Sequence, residues 1–195
     1  MANTVFRTAG RIVKWPLTTL IRPYPRLNAR IWDLQYALGL WSYLDRAGGD
    51  SLPLDLIARY ADRPRILDLG CGTTVNLRLA RDRYRHYHGV DISRAAIRRA
   101  RALRRPDTSF EVADVLAYRP TGTYDVVLLR EVLYYFPLEE IPGLLHRLAA
   151  ALAPGGVIIV SLYDSSPAIL DTLRHCGLTM VDELPAPHGT TVVLR

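Results

Sequence analysis

Ile66-Leu67-Asp68-Leu69-Gly70-Cys71-Gly72-Thr73-Thr74 runs from an apolar stretch into a glycine pair and on toward a helical stretch. Gly70 and Gly72 lack a Cβ, so the backbone can turn tightly and a ligand can approach the amides that open the next helix. Downstream the same grammar repeats. Short apolar runs at 65–69, 88–91, 109–112, 124–129 and 157–162 read as buried strands. The stretches 74–84, 93–103 and 138–152 have the length and amphipathic spacing of crossover helices. The alternation predicts an α/β fold, a doubly wound and mostly parallel seven-stranded sheet with helices on both faces. Two last strands, 178–181 and 190–194, lie only about eight residues apart across Pro185 and Pro187, too close for a crossover. An antiparallel C-terminal hairpin is expected there.

Before residue 64 the signals are helical. Ile31, Leu34, Leu38 and Trp41 fall at i, i+3, i+7 and i+10, one apolar stripe that predicts a helix over 27–46 closed by Gly48 and Gly49. Arg30, Asp33 and Gln35 are expected to point away from that stripe. Ser51 is placed to cap a second helix ending near residue 60.

The 195 residues are 49% hydrophobic and 23% charged, which fits one globular domain and excludes a disordered or collagen-like chain. Cys71 and Cys176 are too few for a disulfide framework. No apolar stretch spans a bilayer, and no small-residue cleavage site follows the N-terminal cations, so a cytoplasmic protein without stable membrane insertion is expected. The net charge is +6, and Lys14 is the one lysine among 25 cations. Arg7, Arg11, Lys14, Arg22, Arg26 and Arg30, interleaved with Val13, Trp15, Leu20 and Ile21, admit contact with a membrane surface as a lesser reading. Arg94, Arg98, Arg101 and Arg105 share one helical face, but no aromatic stacking pattern accompanies them. A solvated outer helix is expected there, and no nucleic-acid partner.

In open α/β sheets, ligands bind beyond the carboxyl ends of the strands. Asp68 ends the first strand beside the glycine turn, where a carboxylate repels a pyrophosphate and suits a cationic amine. A dinucleotide fingerprint needs a third glycine where Val75 stands. Asp91 ends the second strand 21 positions after Gly70, near where such folds place the acid that takes the ribose hydroxyls. Asp114 follows the third strand, in position to accept from an adenine amine.

These residues resemble the class I methyltransferases that use S-adenosylmethionine, over roughly residues 65–163 and more weakly through the hairpin. The resemblance implies a Rossmann-like core over 64–195 beneath an N-terminal helical cap over 1–63. It implies S-adenosylmethionine as donor and S-adenosylhomocysteine as product. Gly70, Cys71 and Gly72 would pass the methionyl part, Asp68 would steer its amino group, and Asp91 would hold the ribose with Ile92 against the adenine. Asp114 would meet the adenine amine with Val115 beside it, and the backbone near Arg130 would border the sulfonium. The glycine often found at the end of the first motif is Thr74 here. Leu152-Ala153-Pro154-Gly155-Gly156 also looks like the family's.

After the fourth strand comes Arg130-Glu131-Val132-Leu133-Tyr134-Tyr135. Glu131 is the nearest carboxylate, and Tyr134 and Tyr135 are placed to orient or stack on an acceptor. A hydroxyl acceptor wants a general base, and Glu131, Asp164 after the fifth strand, and His188 in the hairpin turn are the candidates. Some relatives carry Glu-x-x-Glu-His for a metal where this chain has Tyr134 and Tyr135, so a divalent metal is not indicated. The segment is also similar to small bacterial sugar methyltransferases, which with the aromatic N-terminal helix implies a saccharide hydroxyl as acceptor. The alternatives are a natural-product amine or phenol, and a non-catalytic nucleotide- or RNA-binding module. The N-terminal stripe admits pairing with a second copy.

Overall fold

The computed structural model describes residues 25–40, 52–73, 83–162, 166–186 and 189–195. The expected helix over 74–84, except its last two residues, lies outside that set, as do Trp41, Gly48, Gly49, Ser51, Asp164 and His188. In chain order the elements are α1 (Pro25–Ala37), α2 (Leu52–Tyr60), β1 (Arg65–Leu69), β2 (His86–Asp91), α3 (Arg94–Ala102), β3 (Thr108–Val112), β4 (Tyr124–Arg130), α4 (Ile141–Ala149), β5 (Leu152–Leu162), α5 (Pro167–Arg174), β6 (Met180–Ala186) and β7 (Gly189–Leu194). The strands form one seven-stranded sheet, order β3-β2-β1-β4-β5-β7-β6. β1 to β5 run parallel, and β7 runs antiparallel to both β5 and β6.

The central strands read as continuous apolar runs because both faces are covered. Leu67, Leu69, Val127 and Leu129 point to one face, where they meet Leu144, Leu145 and Leu148 of α4 and Ile169 and Leu173 of α5. Ile66, Val126, Leu128, Val157 and Ile159 point to the other and meet Leu56 and Ile57 of α2. Each such aliphatic side chain contributes about 1.5–3 kcal/mol by leaving water. On α3, Ala95, Ala96, Ile97 and Ala100 are buried while Arg94, Arg98, Arg99 and Arg101 are exposed, the solvated face expected.

Two strands depart from the sequence reading. β5 begins at Leu152, and its register against β4 shifts between Tyr124 and Val126, so Pro154, Gly155 and Gly156 form an irregular entry. A Cβ on Gly156 would lie 2.9–3.0 Å from the carbonyl oxygens of Ala153, Asp125 and Tyr124, a space only glycine fits. The hairpin is tighter than eight residues, with Ala186 paired to Gly189. The two prolines suggested a loop, but β6 is an edge strand, where a residue without an N–H is tolerated.

The N-terminal helix reverses the expectation. Leu34 and Leu38 of the expected core stripe are exposed, whereas Gln35 and Tyr36 are buried and Trp32 and Asp33 are half-buried. This helix lies against the ends of elements, where amides and hydroxyls need partners, so a polar and aromatic face docks better than an aliphatic one. No described helix is long and apolar enough to cross a membrane.

Candidate active site

β1 has β2 and β3 on one side and β4 and β5 on the other, so the crevice at the carboxyl ends opens between β1 and β4. The turn after β1 carries Gly70 at φ 73° and Gly72 at φ 55°, left-handed conformations that favour glycine. A Cβ on Gly70 would stand 2.7 Å from Val132 Cγ2, so the turn leans on the loop after β4. A Cβ on Gly72 would stand 2.6 Å from the Tyr36 hydroxyl. The amides of Gly70 and Cys71 both donate to Val90 O, at 2.8 and 3.1 Å. Cys71 turns its thiol inward toward Gly89, and burial, then the charges of Asp91 and Asp68, push that thiol well above its ordinary range. It therefore offers backbone shape to the crevice and no nucleophile.

Asp91 is the electrostatic centre. It is only 7% exposed, its Oδ2 accepts from the Gly72 amide at 2.9 Å, and its Oδ1 accepts from the Ser93 amide at 2.8 Å. Burial pushes its carboxyl up to about 6, against the two amide bonds, with the charges of Asp68 and Asp33 adding to the rise. Asp68 is fully buried and accepts from the Tyr87 hydroxyl. A buried acid raised by neighbouring acids favours a cationic ligand, which relieves the repulsion. Two described amides occupy two of the roughly four acceptor sites of the Asp91 carboxylate, and two remain for a diol. Ile92 is half-buried beside it. Asp114 Oδ1 accepts from the Leu116 amide at 3.0 Å, which fixes the loop after β3, and Val115 is buried.

The loop after β4 forms the opposite wall. The Glu131 amide donates to Ser161 O at 2.9 Å, extending the β4–β5 pairing, and Glu131 then takes φ 58°. A non-glycine residue in this region stores strain that packing elsewhere must hold. A short 3-10 turn, Leu133–Tyr135, follows. Leu133 is fully buried while Arg130, Glu131, Tyr134 and Tyr135 are half-buried. Trp32 of α1 meets Tyr135 edge-on at 4.9 Å between centroids. Asp33 Oδ1 accepts from Ser93 Oγ at 2.8 Å and from the Ala95 amide at 2.9 Å. α1 thus touches the glycine turn, the start of α3 and the loop after β4, whereas α2 packs into the sheet core.

The structure brings Asp68, Gly70, Cys71, Gly72, Asp91 and Ile92 around one turn, with Asp114, Val115, Arg130, Glu131 and Tyr134 on the loops after β3 and β4. Asp164 and His188 lie outside the described residues. The sequence reading missed Asp33, which bonds across 60 positions to Ser93, and Tyr87, whose hydroxyl serves Asp68. No local pattern marks either. His86 and His88 lie toward the amino ends of the sheet and share Ser109 Oγ at 2.8 and 2.7 Å. A cavity of about 470 Å³ also opens at the amino ends, lined by Arg65, Arg85, His86 and Asp125, on the sheet edge opposite the turn. Among the described residues no group of three or more His, Cys, Asp or Glu side chains is arranged to hold a metal.

Residues 40–189 match the family model described as a methyltransferase domain. The trans-aconitate 2-methyltransferase of Methylobacterium nodulans is 37% identical over 115 residues, 57% of this chain and 43% of that protein. The chain spans about half the length of the curated relatives it matches. Among solved structures, DhpI in complex with SAH superposes at TM-score 0.67 and 18% identity, over 93% of this chain and 96% of that one. The N-methyltransferase NodS of Bradyrhizobium japonicum, also with S-adenosylhomocysteine, superposes at 0.61 and 18%, over 78% and 95%.

Proposed function

We propose, from the premise that this chain belongs to the methyltransferase-domain family, that it transfers a methyl group from S-adenosylmethionine to an oxygen of a small acceptor. The observation that carries the donor reading is Asp91, clamped by the Gly72 and Ser93 amides with acceptor capacity left for a ribose diol. The turn at Gly70, Cys71 and Gly72 would border the methionyl part. Asp68, buried behind it, would act on the ammonium through its field. Ile92 and Val115 would flank the adenine and Asp114 would accept from its amine, while the backbone at Arg130 would line the sulfonium side. When bound, the donor supplies a methyl group already activated on sulfur. The chain's own task is placement and exclusion of water.

The acceptor side would be α1 and the loop after β4. Trp32, Tyr134 and Tyr135 supply aromatic surface suited to the apolar faces of a sugar. A sugar hydroxyl needs its proton removed, and Glu131 is the carboxylate on the loop after β4; Asp164 and His188 are the other candidates. The name of the Methylobacterium nodulans relative favours a second reading, an organic-acid carboxylate. Such an acceptor is already ionised at neutral pH and needs no base.

Labelled donor offered to glucosides and mannosides, trans-aconitate and other carboxylates, phenols and amines separates these readings. The expected result is label on a sugar hydroxyl, with Glu131→Ala lowering turnover at least about tenfold and leaving donor affinity unchanged. Label only on carboxylates, with Glu131→Ala fully active, selects the organic-acid reading. Donor binding without transfer to any acceptor makes the chain a binding module.

A further inference from the structure

α1 carries an aliphatic stripe on the side opposite the polar and aromatic face that docks. At 100° per residue, Leu27, Leu34 and Leu38 fall within about 40° of one another, and Tyr36 falls roughly opposite. Tyr36 and Asp33 hold the docked side, while Leu27, Leu34 and Leu38 are 45%, 57% and 64% exposed. Three leucines on one stripe over about 17 Å of helix are more than the scattered single apolar residues of an ordinary surface.

The charge of the N-terminal sequence is one-sided. The first forty residues hold six of the chain's 25 cations and one of its 19 acids. That acid is Asp33, which is turned inward onto Ser93 and Ala95, while Arg30 beside the stripe is exposed. Almost all of the net charge of +6 therefore belongs to this segment, and the rest of the chain is close to neutral. α1 also contacts α3, whose exposed Arg94, Arg98, Arg99 and Arg101 carry the same sign.

We propose that α1 lays its leucine stripe on an anionic lipid surface, with Arg30 and the excess of cations in the N-terminal sequence drawn to the headgroups. A surface that is apolar beneath and negative above matches a leucine stripe carried by a cationic stretch of sequence. A second copy does not match it, because pairing these faces would bring two cationic segments together without an acid to offset them. An RNA backbone would satisfy the charges and leave the leucines in water. The docked side of the same helix touches Gly72 and Tyr135, so a lipid-bound α1 would stand directly over the crevice.

Co-sedimentation of the full chain with vesicles tests this. Retention is expected on phosphatidylglycerol vesicles and not on phosphatidylcholine vesicles, with loss on raising salt. Leu34→Asp with Leu38→Asp should cut retention at least about tenfold without a change in melting temperature, because both positions are exposed. Leu34→Ser with Leu38→Ser, a milder pair, should lower it in the same direction. No retention on phosphatidylglycerol at low salt, or retention that both pairs leave unchanged, overturns the proposal. So does a leucine-dependent dimer in light scattering, or RNA binding that the leucine substitutions do not alter.

Discussion

Asp91 keeps a raised carboxyl although two backbone amides already donate to it. Its carboxyl sits at about 6 because it is buried beside Asp68 and Asp33. Two opposite pH dependences follow from the one shift. In folding, ionising a carboxyl raised from 3.8 costs stability, so its contribution is most favourable below 3.8 and falls as pH rises through about 6. In the proposed donor binding, ionised Asp91 would be the form that accepts from ribose hydroxyls and attracts a cation. Affinity should fall as pH drops below about 6, toward tenfold per unit, and calorimetry across that range checks it. Asp91→Asn should bind the donor weakly with that pH dependence gone.

The glycine turn is a second residue-scale constraint. Gly70→Ala combines a left-handed φ with a Cβ 2.7 Å from Val132 Cγ2. It should lower stability by about 1–3 kcal/mol in denaturant titrations. Adding Val132→Ala should return the steric part and leave the backbone part, since the φ requirement does not depend on the neighbour. Full recovery would mean that conformation at Gly70 costs nothing.

At the scale of elements, α1 is held by few contacts of high specificity. Among the described residues it is not in an aliphatic cluster with the sheet, and it rests on Asp33 at the start of α3, Tyr36 over Gly72 and against Ala95 and Ala96, and Trp32 against Tyr135. Removing a capping acceptor typically costs about 0.5–2 kcal/mol. Asp33→Ala is therefore expected to speed amide exchange across α1 and the first turn of α3 while exchange in β1 and β4 stays unchanged. Equal acceleration throughout would show that α1 folds as one unit with the sheet. The elements of the sheet are secured differently. Leu67, Leu69, Ile66, Val126 and Val127 are wholly buried, and their strands pair on both sides.

At the scale of the molecule, a parallel sheet packed on both faces carries acids at the ends of successive strands, and charge is segregated onto one N-terminal segment. The first arrangement was legible in the sequence because strand, turn and helix each have a local signature. Apolar runs of strand length mark β1 and β4, Gly70 and Gly72 mark the turn, and the end of a strand marks Asp91. Asp164, read from the same rule, and His188, read from its place in the hairpin turn, lie outside the described residues.

The sequence by itself determined what depends on neighbours along the chain: the alternation of strands and helices, the glycine turn, and the acids that end β1 and β2. Only the tertiary structure decided which side of α1 faces inward, because Asp33, Tyr36 and Trp32 gain partners that lie 36 to 103 residues away. Periodicity counts apolar residues and favoured the leucines. Burial went instead to the face that could satisfy amides and hydroxyls at the ends of other elements, since a polar group left there without a partner costs more than an exposed leucine.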